Sequence, residues 1–308
     1  MRRVATLAGL AGCLLASTAR ADDPKSPPGA HATPAEKPKE CVAFARTWGD
    51  AVEEARAMSA PVLVHCLDFD ASATWGYQSG VLCNKKYMEC AASNTVDVMG
   101  MINIEKAVAR RDKRAQTYDA TVDGATVKFL VEFPGVTVED VVAMTTATAK
   151  YDTTGYAPFT ALVDPWTEES LQHWSGHQSA HSLIDAVTEI RKRMEKDHGK
   201  GASRKDARTF LAARALATAK TSKGEFAAAL DALGELSPAA EKGPEGLKRL
   251  LADARAAAVK AAEKALSAVE QDQAANPAAA KQRLLDLLPR LKGTGLESRA
   301  KELLQKMG

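Results

Sequence analysis

Hydrophobic positions after residue 47 alternate between two periodicities, which predicts helices alternating with strands. The stretch TWGDAVEEARAMSA places Trp48, Val52 and Ala55 at helical spacing, so we expect a helix that ends before Pro61. The following stretch, PVLVHCL, is a continuous apolar run of strand length, which is typical of a strand buried on both faces. Helices and strands in this order indicate an α/β layered fold.

Capping residues and further apolar runs extend this pattern to about residue 196. Asn84 is expected to cap a helix over KKYMECAA, Thr137 a helix over VEDVVAMTTATAKY, and Ser179 a helix with an apolar stripe on one face. Four segments are strand-like: NTVDVMGMINIE, ATVKFLVEF, YAPFTALVDP and LQHWSGH. We therefore predict an α/β domain over residues 41–199.

From about Gly201 the composition shifts to alanine and leucine, with interspersed lysine and arginine. Breaks between helices are expected at TSKGE, SPAAEKGPEG, AANP and KGTG. Residues 200–308 are therefore predicted to form an all-α domain of antiparallel helix pairs. The stretch KGEFAAALDALGELSP resembles the second helix of a tetratricopeptide repeat, although no 34-residue period follows. Such helices would form either a groove for a partner peptide or a cap that buries its own apolar faces.

The first 21 residues have the features of a secretory signal peptide. Two arginines precede a mostly apolar run, which is followed by the small-residue site Ala19-Arg20-Ala21. A competing interpretation is a bacterial lipobox, Leu10-Ala11-Gly12-Cys13, which would make Cys13 a lipid anchor. Either interpretation predicts an exported protein, in the bacterial periplasm or secreted, in which disulfides can form.

Residues 22–40 are rich in proline, lysine and alanine, which predicts a disordered linker. The formal net charge of the whole chain is +2, too small to argue for nucleic-acid binding. No interior run approaches the roughly 18 apolar residues that a membrane span needs. These observations favour a protein that binds other exported proteins or peptides, and they do not favour binding to nucleic acid or a membrane-spanning segment.

Four cysteines follow the signal peptide, namely Cys41, Cys66, Cys83 and Cys90. Four cysteines allow three complete pairings, between which the sequence does not choose. A bond between Cys83 and Cys90 is disfavoured, because seven residues of helix rise by about 10 Å, beyond disulfide reach. Cys66 lies within the apolar run PVLVHCL and is expected in the core.

Several of these segments, in this order, resemble the thioredoxin superfamily. They are AVEEARAMSAPVLV after Trp48, VLCNKKYMECAASNTVDV, GYAPFTALVDP and HWSGHQSAHSLIDAV. The resemblance implies a central mixed sheet flanked by helices, and it implies that Pro158 is the cis-proline of the family. It covers about half of the chain.

The redox motif of that family, Cys-x-x-Cys, is missing. Aligned without gaps from PVLV, the motif falls on Ala71-Ser72-Ala73-Thr74; aligned on Trp75, its cysteines fall on Gly76 and Ser79. Disulfide exchange needs a thiolate and a second thiol to resolve the mixed disulfide. The dithiol activity of the family is therefore not implied for this chain.

We expect instead a non-catalytic exported protein that binds a peptide or takes part in an envelope assembly. The resemblance implies a peptide groove near Ala71, Thr74 and the Ala157-Pro158 segment, with Trp75 and Tyr77 as contact residues. Aromatic side chains are enriched at such interfaces. The alternative is an exported thiol–disulfide oxidoreductase that uses Cys83 or Cys90 in a non-standard arrangement, with Cys83 close to a helix start that could acidify its thiol.

Three histidines, His173, His177 and His181, are spaced four residues apart. On one helix this spacing would suggest a zinc or copper site. Gly176 and the Ser179 cap instead divide them among a strand, a turn and a helix start, so we expect ordinary surface histidines. The sequence predicts neither a metal site nor a cofactor.

Overall fold

The computed structural model describes residues 41–307, apart from 123–124, 134 and 153–154. These residues form two compact units that divide between His198 and Gly199. The first unit combines a mixed sheet with helices, and the second is built from helices, so the expectation of an α/β part and an α-helical part is confirmed at this level. The proposed signal peptide and the linker lie outside the described residues.

The first unit contains six helices and six strands, together with a π-helical turn at Gln78–Leu82 and short 3₁₀ turns. The helices are α1 (Trp48–Met58), α2 (Ser72–Tyr77), α3 (Lys85–Asn94), α4 (Ile104–Ala109), α5 (Val138–Thr148) and α6 (Ala180–His198). The strands are β1 (Val62–Asp68), β2 (Val96–Ile102), β3 (Thr117–Val122), β4 (Ala125–Leu130), β5 (Phe159–Val163) and β6 (Ser170–Ser175).

Four strands form the main sheet, in the order β2-β1-β5-β6. β1 pairs with β2 in parallel and with β5 in the antiparallel direction, where Cys66 faces Phe159. β3 and β4 form a separate antiparallel hairpin. The central position of β1 explains its composition, because Val62 to Leu67 are all buried and neither face nor edge of this strand meets water.

Capping residues mark the helix starts where the sequence predicts them. The Asn84 side chain accepts hydrogen bonds from the backbone of Lys86 and Tyr87 at the start of α3. Thr137 begins α5 with a reciprocal capping box to Asp140. Each cap supplies acceptors for backbone N–H groups that the first helical turn leaves unpaired.

The predicted end of one strand is wrong. The strand that we expected to reach Ile104 ends at Ile102, because Asn103 takes a left-handed conformation with a φ of 64° and α4 follows directly. An extended strand cannot continue through that backbone geometry. Ile104 is nevertheless buried, so its apolar character reflects packing of α4 rather than extension of β2.

The helical unit contains α7 (Arg204–Ser222), α8 (Phe226–Glu241), α9 (Glu245–Asp272), α10 (Pro277–Leu287) and α11 (Glu297–Lys306). α8 packs against both α7 and α9. The break predicted at SPAAEKGPEG begins later, because α8 continues through Pro238 to Glu241. Ala240 is buried there, so packing of this last turn compensates for the hydrogen bond that the proline removes.

Candidate functional site

Residues 71–74, on which the ungapped alignment above places Cys-x-x-Cys, lie where β1 ends and α2 begins. Ala71 is the N-cap residue of α2, and Ser72 is exposed. Thr74 is fully buried, and its hydroxyl donates to the Asp68 carbonyl (2.7 Å) and accepts from the Asp68 N–H (3.2 Å). The Thr74 hydroxyl is thus used to fasten α2 to the end of β1, and Ala71 has no reactive group.

Pro158 lies at the same end of the main sheet. The pairing of Cys66 with Phe159 puts Pro158 beside the last residues of β1, from which the chain leads to Ala71. The Ala157–Pro158 peptide bond is cis. Pro158 is buried and Ala157 half-buried, whereas the preceding Tyr156 is 72% exposed.

Of the two aromatic residues expected to contact a peptide, only Trp75 is accessible. The Trp75 ring is half-buried, packs edge-on against Phe69 with 5.0 Å between ring centroids, and carries the Arg114 guanidinium 4.7 Å above it. Tyr77 is fully buried. The expectation that Tyr77 contacts a partner is therefore wrong, because its ring faces the core and its hydroxyl lies 2.8 Å from His65 Nδ1.

His65 and Asp97 anchor a polar network in this core. His65 Nε2 lies 3.0 Å from Asp97 Oδ1, and the hydroxyls of Tyr87 (2.5 Å) and Thr95 (2.6 Å) donate to the same carboxylate. All of these side chains are essentially inaccessible to solvent. Together with Tyr77, the network joins β1, β2, α2 and α3.

Sequence reasoning missed this network, although one signal for it exists. His65 and Asp97 stand in the otherwise apolar strands β1 and β2, and a buried polar group is expensive unless it is hydrogen-bonded. Two such residues in adjacent strands therefore indicate mutual partners. In the parallel register Val64 faces Val98 and Leu63 faces Asp97, so His65 reaches Asp97 diagonally.

Burial and hydrogen bonding shift the pKa values of three acidic groups in the network, Asp97, Tyr77 and Tyr87. Burial alone would raise the pKa of the Asp97 carboxyl, but the hydrogen bonds from His65, Thr95 and Tyr87 outweigh it, and that pKa lies below the usual 3.8. Burial, with the charge of Asp97 in addition, raises the pKa of Tyr77 and Tyr87 above the usual 10.0. Asp97 is thus a buried carboxylate whose phenol neighbours are neutral.

An open cleft of about 280 Å³ lies beside Trp75. Its lining residues are Trp75, Gln78, Ser79, Cys83, Arg114 and Glu132. Arg114 and Glu132 give the cleft one positive and one negative group, and the buried Gln78 Nε2 lies 3.4 Å from the Glu132 carbonyl. The cleft can therefore bind polar and aromatic groups together.

The sulfur at the cleft wall belongs to a disulfide. Cys83 is bonded to Cys41, and both residues are half-buried. Cys66 and Cys90 are free thiols. Cys66 lies on β1 as expected; burial raises the pKa of its thiol to about 11, although the hydrogen bond with Thr148 opposes that shift. Cys90 is half-buried on α3, where its sulfur accepts from Asn94 Nδ2 at 3.4 Å.

The three histidines have different neighbours. His173 on β6 stacks on Phe159, His177 packs edge-on against Tyr77, and His181 on α6 lies 3.5 Å from Asp185. Within the described ranges, no group of three or more His, Cys, Asp or Glu side chains is arranged to hold a metal ion.

Comparison with known proteins finds no family model that matches this sequence, and no curated protein with a similar sequence. No helix among the described residues is both long and apolar enough to cross a membrane. The interpretation of the site therefore depends on its own geometry.

Proposed function

We propose that this chain is an exported thioredoxin-like protein without the redox dithiol, which binds an extended peptide segment of another exported protein. The signal-peptide features of residues 1–21 support export. The mixed sheet flanked by helices, with Pro158 immediately before β5, agrees with what the family resemblance implies. The helical unit would add a second contact surface or serve in an envelope assembly.

The observation that carries the proposal is the chemistry at the start of α2. Ala71 has no functional group, and the Thr74 hydroxyl is buried and engaged with the backbone of Asp68. A thiol-exchange reaction at this place has neither a nucleophile nor a resolving thiol. A surface without these sulfurs is suited to recognition rather than to thiol exchange.

The accessible groups near this surface suit an extended peptide. Trp75 offers part of its ring at the cleft, and Tyr156 is the most exposed tyrosine, immediately before Ala157 and Pro158. An extended peptide gains affinity from backbone hydrogen bonds and specificity from pockets that accept alternate side chains. Trp75 and the cleft supply such a pocket, and Tyr156 replaces Tyr77 as the second aromatic contact.

A peptide array tests this function. The purified protein would be applied to an array of synthetic decapeptides of varied sequence, alongside a W75A/Y156A double variant. The matched control is Y118A, since Tyr118 is also an exposed tyrosine (46%) but lies on the hairpin strand β3. We expect a set of bound peptides that the double variant loses and Y118A keeps. Equal signals for the wild type and the double variant would contradict the proposal.

The alternative function, thiol–disulfide exchange through Cys83 or Cys90, is favoured by one observation. The Cys83 sulfur belongs to a residue that lines the cleft. This alternative predicts that the protein reduces or oxidises a test substrate such as insulin faster than free dithiothreitol does. Turnover that is present in the wild type and lost in C83S or in C90S would replace the binding proposal with an enzymatic one.

A further inference from the structure

The segment before α1, residues 41–46, lies along the edge of the main sheet, and we refer to it as the strap. Phe44 forms a parallel bridge with Asp97 on β2, and the Ala45 N–H donates to the Asp97 carbonyl at 2.8 Å. Val42 is buried, and its N–H donates to the Leu82 carbonyl at 2.9 Å. The strap therefore covers the β2 edge of the sheet.

The disulfide fastens the first described residue of the strap to the cleft. Cys41 is joined to Cys83, which follows the π-helical turn Gln78–Leu82. Two residues of that turn, Gln78 and Ser79, line the same cleft as Cys83. A covalent tie at Cys83 thus restrains one wall of the cleft. Beside it, the Val42 N–H donates to the Leu82 carbonyl, and the buried Val42 side chain belongs to the core cluster that contains Val81 and Leu82.

The same geometry makes the disulfide accessible. Both cysteines are half-buried, and Cys83 lines the open cleft of about 280 Å³. Thiol–disulfide exchange requires such access to a sulfur. The free thiol Cys66, in contrast, is buried within β1, away from solvent.

We propose that the Cys41–Cys83 disulfide is a thiol-exchange site whose reduction detaches Cys41 of the strap from the cleft wall and alters the cleft, so that redox state regulates binding there; the regulatory part rests on the proposed function. The reductant is a protein dithiol of the disulfide-reductase class. One of its thiolates attacks the Cys83 sulfur, the bond to Cys41 breaks, and Cys41 leaves as a thiolate that takes up a proton. The second thiol of the reductant then displaces Cys83, which yields two protein thiols and one oxidised reductant.

The exchange itself is tested on the full chain in mixtures of reduced and oxidised dithiothreitol. Samples are quenched with acid, alkylated and mapped by mass spectrometry, while circular dichroism follows the fold. We expect Cys41 and Cys83 to become reduced together while the secondary structure is retained. A disulfide that stays oxidised until urea unfolds the protein would overturn the proposal.

The effect on the cleft is tested by hydrogen exchange, which needs no ligand. In the reduced protein and in a C41S/C83S variant, we expect amides of residues 78–83 to exchange roughly tenfold faster or more, since local opening costs less free energy without the tie. The control is C90S, which keeps the disulfide and removes the free thiol of Cys90, a half-buried residue on α3. Unchanged exchange of these amides in the reduced protein would overturn the proposed effect of the disulfide on the cleft.

The peptide array then separates the two proposals. If peptides bind and the oxidised and reduced forms bind them differently, the redox regulation is supported. If peptides bind equally in both forms, the regulation is refuted while the binding function stands. If no peptide binds in either form, the binding function and its regulation both fail, and the thiol titration and hydrogen exchange still decide whether the disulfide is an exchange site.

Discussion

Replacing Tyr87 with phenylalanine would remove a single oxygen from the buried network and leave the ring in place. The lost hydroxyl is the one that donates to Asp97 at 2.5 Å, inside a core where Tyr87 is 1% exposed and Asp97 is fully buried. No cavity larger than one oxygen is created. The change therefore removes the hydrogen bond to the buried charge, together with a longer contact of 3.4 Å between the Tyr87 hydroxyl and His65 Nε2.

The magnitude follows from the charge of the acceptor. A hydrogen bond to an ionised group contributes roughly 1.5–3 kcal/mol, and a buried carboxylate that loses a donor bears the cost of incomplete solvation. His65 and Thr95 still donate to Asp97 in the variant. We therefore expect Y87F to lower the free energy of unfolding of the first unit by about 2 kcal/mol.

Urea unfolding followed by tryptophan fluorescence reports on the first unit, because all four tryptophans (Trp48, Trp75, Trp166 and Trp174) precede the division at His198. The control is Y118F, which removes an exposed hydroxyl and should change stability by less than about 0.5 kcal/mol. A loss of about 0.5 kcal/mol or less in Y87F, with an unchanged denaturant slope, would refute the argument that Asp97 needs this donor.

The pH dependence gives a second check on the same variant. The pKa of Asp97 is lowered in the folded protein, so its carboxylate contributes stability above the unfolded value of 3.8, and this stability is lost as the pH falls through the lower folded value. Y87F should weaken that lowering. The difference between the wild type and Y87F should therefore be constant near neutral pH and shrink only below about pH 4.

Other changes probe the remaining features. Removing the Cys41–Cys83 bond in C41S/C83S, whose cysteines are 42 residues apart, should lower stability by about 4 kcal/mol through the loop entropy of the unfolded chain, which urea unfolding checks against C90S. Alkylation of Cys66 in the folded protein should be slow below a pH near its pKa of about 11, and fast modification at pH 8 would contradict its burial. Leu266 is fully buried in α9, so L266A should lower the free energy of unfolding of the helical unit by roughly 2–5 kcal/mol. Urea unfolding should show this loss in far-ultraviolet circular dichroism but not in tryptophan fluorescence.

The elements that the sequence predicts best are those whose signals lie in neighbouring residues. α1, β1 and α3 carry their own apolar pattern and, for α3, the cap at Asn84, so local physics suffices for them. Pro238 shows the limit of such rules. A proline predicts a helix break, yet α8 continues through Pro238 because Ala240, in the turn after it, is buried.

The site was less predictable, because its decisive contacts join distant positions. From its sequence neighbours, Tyr77 resembles an aromatic residue of an interface. Its burial follows from the contact of its hydroxyl with His65 on β1, which the neighbouring sequence does not indicate. Cys41 can pair with Cys83 because the strap lies beside Leu82. No local sequence pattern predicts that placement. Position and burial of such residues follow from the assembled sheet, not from their own sequence neighbourhood.

The central place of β1 also has a consequence for how the chain is made. Its two neighbours are β2, which follows soon after, and β5, whose Val163 pairs with Val62 roughly 100 residues later. During synthesis, β1 and β2 emerge long before β5 can cover the other edge of β1. A chain that ends before Phe159 would expose an apolar strand edge, which is a template for pairing with other chains. Such truncated products should accumulate as aggregates rather than as soluble fragments.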